Sequence, residues 1–354
     1  MPPLTNRQRL TSALPSPPKP PRSPRPASRK GRLLAASGLV LGIAAVGLLV
    51  TNRQSISDWW RLRGYQPPAA VQQLASQTTM TPYARHLFYL NKPEVLSAVD
   101  SFRQHCPENE DTIVLGCYHP VENGIYIYNV KDPELQGVSQ VTAAHEDLHA
   151  IYGRLSGTEK RRVNGLLEDY YQHGLTDQRV KDEIKLYQKD EPTAVLDEMH
   201  STFGTEVAGL PPALETYYKQ YFTNRAAIVN YSRQYEQAFS ARQGKISQDD
   251  QQLAAMKTQI DAQQSALQAQ QDQLSAAQSQ LKALLAAGQT GEYNARIPAY
   301  NAQVNDYNSG VAALKSLINQ YNQLVAARNA IASELTTLDK ALDTRLTSRS
   351  HASH

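Results

Sequence analysis

The chain has 354 residues, of which 36 are basic and 33 acidic, for a formal net charge of +3. Eight of the 36 basic side chains and no acidic ones lie in residues 1–32, so the rest has 28 basic and 33 acidic side chains, a net charge of −5. A mildly acidic body lacks the basic patch of a nucleic-acid-binding protein, so we expect no nucleic-acid partner. The length allows two domains.

The N-terminal residues predict a tail followed by a membrane anchor. Residues 1–32 hold nine of the 20 prolines, and a segment of this composition cannot bury a core, so it predicts a disordered cytoplasmic tail. Residues 33–50 carry no charge and are long enough to span a bilayer as a helix. Because the basic side chains precede this span, the sequence predicts a single-pass signal anchor in the cell membrane, with the bulk of the chain extracytoplasmic.

The next segment contains the two cysteines and the β-rich runs. Cys106 and Cys117 lie close together in the part predicted to be exported, which predicts a disulfide worth about 3 kcal/mol. Two sulfurs do not complete a zinc shell, so we expect no cysteine metal site. Residues 112–118 and 124–130 predict two strands joined by a turn. Residues 66–105 predict short helices and turns, which leaves open whether they cover a site.

The segment QVTAAHEDLHAIYG, residues 140–153, carries the strongest chemical signal in the chain. It places His145 and His149 four residues apart. On a helix, this spacing brings both imidazoles to one face about 6 Å apart, where they can bind one metal ion. Glu146 lies at the side of that face, where it can accept a proton from water activated by the metal. The pattern predicts a metal-dependent hydrolytic site.

This segment resembles the active-site helix of the zincin metallopeptidases. The resemblance implies that His145 and His149 bind Zn²⁺, and that Glu146 is the general base and proton shuttle in peptide hydrolysis. The upstream β-rich run GIYIYNV would correspond to the sheet edge along which zincins align an extended peptide. The metzincin branch requires glycine and histidine where this chain has Tyr152 and Leu155, so that branch does not fit.

The gluzincin branch has a third ligand within Asn-Glu-x-x-Ser-Asp on a later helix. The matching segment here, DEMHST, begins at Asp197. It keeps Glu198, which the resemblance implies is the third zinc ligand, but Thr202 replaces the final aspartate, which orients a zinc-bound histidine in that family. His200 and Glu206 are the alternative ligands. His200 is about 200° around the helix from Glu198, on an apolar face that favours a packed histidine.

Helical segments precede and follow this one. Residues 156–174, 177–188 and 193–207 predict three helices, and a long helical stretch begins at residue 213. That stretch offers candidates for an oxyanion stabiliser, but tyrosines at this spacing are typical of a core, so we assign none of them to the site: Tyr217, Tyr218, Tyr221 and Arg225. Several histidines have no partner at ligand spacing and are expected to be structural or exposed: His119, His173, His351 and His354.

The last hundred or so residues have a seven-residue repeat. The repeating apolar residues are Phe239, Ile246, Leu253, Ile260, Leu267, Leu274 and Leu281. A glycine-containing break, AAGQTGEYN, precedes a second periodic arm, which predicts an antiparallel coiled-coil hairpin over residues 231–346 and a disordered tail over 347–354. The glutamine-rich seam predicts modest stability, or binding to a partner or to itself.

The sequence as a whole predicts an α+β, mostly helical chain. A small zincin-like domain over residues 51–230 would precede the hairpin. The predicted function is a membrane-anchored zinc metallopeptidase that hydrolyses a peptide or protein substrate. The alternative is a cell-surface scaffold or adhesion protein whose coiled coil binds partners and whose zincin-like domain is inactive. The intact His145, Glu146 and His149 oppose that alternative, while the altered Asn-Glu-x-x-Ser-Asp motif favours it.

Overall fold

A computed structural model of the chain describes residues 53–107, 113–122 and 124–345. The described part is mostly helical with a small sheet, which confirms the α+β, mostly helical class. The predicted tails at 1–32 and 347–354 lie outside the described residues. The chain divides after Arg63 into two compact units. Helix α1, Arg53–Leu62, is the described element of the first.

The predicted membrane anchor and the single-pass location require a correction. Residues 33–50 lie outside the described residues. Within the described ranges, no helix is long and apolar enough to cross a membrane. The two helices that exceed the roughly 20 residues of a membrane span carry many glutamines and charged side chains. We therefore withdraw the transmembrane helix, the membrane partner and the predicted cellular location.

The second unit, from Gly64 onward, holds the other elements. Its first part comprises α2 (Ala69–Gln77), α3 (Pro82–Leu90), β1 (Glu94–Leu96), α4 (Val99–His105), β2 (Gly116–His119) and β3 (Gly124–Tyr128). Five helices follow, namely α5 (Val138–Arg154), α6 (Gly157–His173), α7 (Gln178–Asp190), α8 (Val195–Thr205) and α9 (Pro212–Tyr218). The two longest helices are α10 (Arg225–Ala286) and α11 (Thr290–Leu342).

The described strands form one sheet in the order β1-β3-β2. The antiparallel pairing of β2 with β3 confirms the two predicted strands, although both are shorter than expected. Strand β1 was not predicted, because its three residues are too few to give a periodic signal; it pairs parallel to β3. The predicted disulfide Cys106–Cys117 is confirmed. It joins the end of α4 to β2 and packs with Phe102 and Tyr126.

Helix α5 lies at the centre of the unit, where it contacts α2, α3, α8, α10, β2 and β3. Its apolar side chains Leu148 and Ile151 are almost fully buried. The neighbouring helices begin where the sequence supplies caps. Ser156 and Glu159 form a capping box at the start of α6, and the Asp177 side chain accepts hydrogen bonds from the first turn of α7. These caps fix where the helices around α5 begin.

The long helical stretch predicted from residue 213 is interrupted between α9 and α10. The interruption is stabilised by pairing with the loop after α2. The Thr81 amide donates to the Tyr221 carbonyl at 2.8 Å, and the Thr223 amide donates to the Thr79 carbonyl at 2.9 Å. A bridge between Met80 and Phe222 lies between these bonds. Long-range hydrogen bonds of this kind override local helix propensity, so the prediction of an unbroken helix is wrong here.

Helices α10 and α11 run antiparallel. Arg242 forms an ion pair with Glu334, and farther along α10, Asp250 forms one with Arg328. The predicted domain boundary after residue 230 falls inside α10, which begins at Arg225. The end of α11 packs against the start of α5 through Leu338, which contacts Leu135 and Val138. The base of the helix pair is therefore continuous with the core around α5.

Candidate metal centre

The first two candidate ligands lie on one face of α5. The four-residue spacing of His145 and His149 brings their ring centroids to 4.8 Å, as the sequence predicts for a helix. Both side chains are mostly buried, with 18% and 14% of their surfaces exposed. Leu148 and Ile151 fix the helix in the core, so the two rings are presented from a rigid support.

Helix α8 brings Glu198 to the two imidazoles. The Nε2 atom of His145 is 3.6 Å from one carboxylate oxygen, and the Nε2 atom of His149 is 3.6 Å from the other. Two ligand atoms on a tetrahedral zinc ion are about 3.4 Å apart, given bonds of about 2.0–2.1 Å. The spacing of these nitrogen and oxygen atoms therefore matches what a shared metal ion requires.

One atom of this cluster indicates that the donor set fits a cation. Glu198 Oε2 is buried and has no hydrogen-bond partner of ordinary length among the described residues. A buried carboxylate oxygen without a donor is costly, and a bound cation removes that cost. Ligand atoms of His145, His149 and Glu198 all lie within 4.8 Å of one another. Two imidazoles and a carboxylate form a donor set typical of catalytic zinc.

Asp197 orients one of the imidazoles. His149 Nδ1 donates to Asp197 Oδ1 at 2.8 Å, and Ser201 Oγ lies 3.2 Å from the same nitrogen. With its proton on Nδ1, the ring turns the lone pair of Nε2 toward Glu198. Sequence reasoning missed this role because it sought the orienting carboxylate at the position of Thr202. The aspartate directly before Glu198 provides it instead.

The pKa values of the ligands reflect a cluster that favours positive charge. Burial lowers the pKa of His145, but the hydrogen bond and charge of Glu198 outweigh it and raise this pKa to about 9. Burial also lowers the pKa of His149, and the Asp197 hydrogen bond reverses that effect. Burial raises the pKa of Glu198, but its bond to His145 and the charge of His149 bring it below its usual range. The negative charges that stabilise the protonated imidazoles also attract a metal cation.

Glu146 lies beside the candidate ligands on α5 and is 7% exposed. Burial raises its pKa, and the charges of His149 and His145 lower it only in part. Strand β2 lies directly against it, since a Cβ atom on Gly116 would be 2.9 Å from Glu146 Oε1. Only glycine fits at this point, so the backbone of β2 forms one wall beside the carboxylate. The neighbouring Asp147 is fully buried, and burial raises its pKa well above its usual range.

The alternative ligands lie elsewhere. His200 is fully buried, its Nε2 atom is 2.8 Å from the Tyr217 hydroxyl, and Tyr218 donates to its carbonyl oxygen at 2.7 Å. Burial, followed by the charges of His149 and His145, lowers the pKa of His200 to about 3, so the ring is neutral. Glu206 forms an ion pair with Arg179 at 2.8 Å.

The three tyrosines near the start of the long helical stretch are core residues, as the sequence predicts. Tyr217, Tyr218 and Tyr221 are at most 3% exposed. Arg225 donates hydrogen bonds to Glu215 and to the carbonyl oxygens of Phe203 and Val207. Its guanidinium is therefore engaged in the core.

Helix α7 contributes residues that sequence reasoning did not identify. Tyr187 forms a hydrogen bond that helps to lower the pKa of Glu198, and its own pKa is raised by burial and by the charges of Glu198 and Glu183. Burial and the charge of Glu206 raise the pKa of Glu183 to about 7, although Arg179 acts in the opposite direction. No sequence spacing links α7 to the ligands, because the relationship arises only from tertiary packing.

Comparison with known proteins gives no guide to function. No protein-family model, no curated protein and no solved structure matches the chain. A functional assignment therefore rests on the residues and geometry described above.

Proposed function

We propose that the chain is a zinc-dependent peptidase with a gluzincin-like ligand set of His145, His149 and Glu198. The observation that carries the proposal is the convergence of two imidazole nitrogens on a buried carboxylate, one oxygen of which has no hydrogen bond of ordinary length among the described residues. Three protein ligands of this type leave a fourth position for water or substrate, which is characteristic of catalytic rather than structural zinc sites. Zinc bound here would lower the pKa of water and polarise a substrate carbonyl.

Glu146 is the group that moves the proton in this proposal. Its carboxylate takes a proton from the water that attacks the peptide carbonyl, and delivers it to the leaving amine when the C–N bond breaks. The burial that raises its pKa supports this role, because a base is most effective when its pKa approaches the working pH. Gly116 limits the space beside Glu146 and so restricts the positions of its carboxylate.

Two further groups have positioning or stabilising roles. Asp197 keeps the proton of His149 on Nδ1 and makes the ring a stronger donor through Nε2. Tyr187 remains protonated because its pKa is raised by burial and nearby carboxylates. Its hydroxyl lies beside Glu198 and can donate to negative charge that develops on a substrate oxygen.

The helices α10 and α11 have a separate role in the proposal. We assign them the role of a coiled-coil hairpin that holds a partner or a substrate protein near the site. Their length and polar outer faces support this role. In the alternative function, the hairpin is a scaffold and the domain is inactive. The buried Glu146 next to a complete ligand set argues against that alternative, because a scaffold has no use for the base.

The direct test of this function compares hydrolysis of unfolded casein by the wild-type chain and by Glu146→Gln, with zinc bound to both. The substitution should lower kcat by about 10²–10⁴-fold, because it removes a general base, and should leave zinc content unchanged. Glu168→Gln, which changes an exposed glutamate on α6, is the matched control and should retain activity. Full activity in Glu146→Gln would remove Glu146 from the reaction. A zinc-loaded wild type without hydrolytic activity would refute the peptidase.

A further inference from the structure

The sheet face opposite α5 carries a second cluster of metal-binding groups. Successive side chains of a strand point to opposite faces, so Cys117 and His119 of β2 lie on one face, while Gly116 turns toward Glu146 on the other. Cys117 Sγ is 3.3 Å from His119 Nε2. Cys106 reaches the same place from the end of α4. Sequence reasoning expected no partner for His119 and no metal at the cysteines.

The donor atoms of this cluster are close enough to share an ion. The sulfur atoms of Cys106 and Cys117 and a ring nitrogen of His119 all lie within 4.8 Å of one another. Two thiolates on a tetrahedral zinc ion are about 3.8 Å apart, given Zn–S bonds of about 2.3 Å. The Cα atoms of the two cysteines are 5.9 Å apart, so side-chain rotation alone can provide that separation.

The two sulfur atoms lie in dry, apolar surroundings. Cys106 is 3% exposed and Cys117 is 9% exposed, and Phe102 and Tyr126 pack against them. A dry, apolar surrounding strengthens the attraction between thiolates and a cation. The carbonyl oxygen of His105 lies 3.6 Å from Cys117 Sγ and also contacts His119 Nε2, so it lies on the rim of the cluster. This leaves a fourth position for that oxygen or for water.

We propose that Cys106, Cys117 and His119 form a zinc site that is available only when the disulfide is reduced. Thiolates bind zinc, whereas a disulfide does not, so the bond between the two sulfurs controls access to the site. A dithiol supplies two electrons and two protons and is itself oxidised to a disulfide, while Cys106 and Cys117 become thiols. Binding of zinc then releases the two thiol protons. The site shares no residue with the one at His145.

The test uses the full chain with Co²⁺ as a probe, because cobalt bound to thiolate gives a near-ultraviolet charge-transfer band. The ligands at His145 contain no sulfur and cannot give this band. The oxidised chain should show no band. After reduction with a phosphine, which becomes its oxide with oxygen from water, the chain should develop a band that saturates by about two equivalents, because the ligands at His145 can hold one, and that disappears when Zn²⁺ is added in excess. A count of two free thiols per chain establishes that reduction is complete.

Two histidine variants make the test specific. In the reduced chain, His119→Ala should weaken Co²⁺ binding by about 10-fold or more, since loss of even an outer partner of a metal costs that much. His173→Ala, which changes an exposed histidine on α6, should bind Co²⁺ as the wild type does. His119 is not part of the disulfide, so His119→Ala should still form it and should be purified folded. A fully reduced wild type without the band would overturn the proposal. Equal binding by His119→Ala, or a band that appears only when circular dichroism shows unfolding, would also overturn it.

Discussion

The domain around α5 and the pair formed by α10 and α11 differ in where most of their ion pairs lie. Around α5, His145, Glu146 and Glu198 are mostly buried, and their pKa values depart from the usual ranges. Along the helix pair, contacts such as the one between Asp250 and Arg328 lie at the surface. Exposed ion pairs contribute about 0–1 kcal/mol, whereas buried charges are costly unless they are compensated. The domain around α5 bears this free-energy cost, and its buried charged groups are the ones suited to catalysis.

The largest predicted effect on stability distinguishes the base of the helix pair from its tip. Leu338 is 3% exposed and packs against the start of α5, whereas Leu285, near the turn, is 50% exposed. Leu338→Ala should lower the free energy of unfolding by about 2–5 kcal/mol, and Leu285→Ala should change it by less than about 0.5 kcal/mol. Denaturant unfolding of both variants measures the difference. Equal losses would mean that the base is no better packed than the tip.

The second prediction concerns the pH dependence of the metal-free chain. The pKa of His145 is raised from 6.5 to about 9, so the stabilisation from its proton is complete below pH 6.5 and is lost as the pH rises through 9. This loss is on the order of 3 kcal/mol. Unfolding by denaturant with a chelator present, at pH 6 and at pH 9.5, measures it in the wild type and in His145→Ala. A wild type whose pH dependence equals that of His145→Ala would rule out this coupling.

The smallest predicted effect is on metal affinity through Asp197. Asp197→Asn keeps a similar shape but weakens the hydrogen bond that orients His149, and should lower zinc affinity by about 10–100-fold. Asp169→Asn, at an exposed aspartate beside His173, is the matched control and should leave affinity unchanged. Competition with a chromogenic chelator measures both. If both variants bind zinc as tightly as the wild type, Asp197 has no role in orienting the ligand.

Features that depend on local contacts could be predicted from the sequence, and features that depend on distant segments could not. Local periodicity predicts the helices of the pair, because seven-residue spacing reflects contacts that repeat along each arm. It also predicts the relation between His145 and His149, which lie on one helix. It fails at β1 and at the break before α10, because both depend on pairing with distant segments.

Most of the remaining site required tertiary structure. Glu198 was expected only from the resemblance to gluzincins, since no local spacing relates it to α5. Asp197 precedes it directly, yet its bond to His149 depends on how α8 packs against α5. Tyr187 had no sequence signal, because it meets Glu198 only through the packing of separate helices. His119 had none either, because it is close to Cys117 and, through the disulfide, to Cys106.

The most direct test of the metal centre is the zinc content of the full chain with its disulfide intact, measured by mass spectrometry in wild type, Glu198→Ala and Glu206→Ala. We predict about one zinc per chain in the wild type and in Glu206→Ala, and loss of zinc in Glu198→Ala, because among the described residues Glu198 is the carboxylate grouped with both imidazoles. Zinc retained in Glu198→Ala would contradict this ligand set. Absence of zinc from the wild type would contradict the metal centre itself.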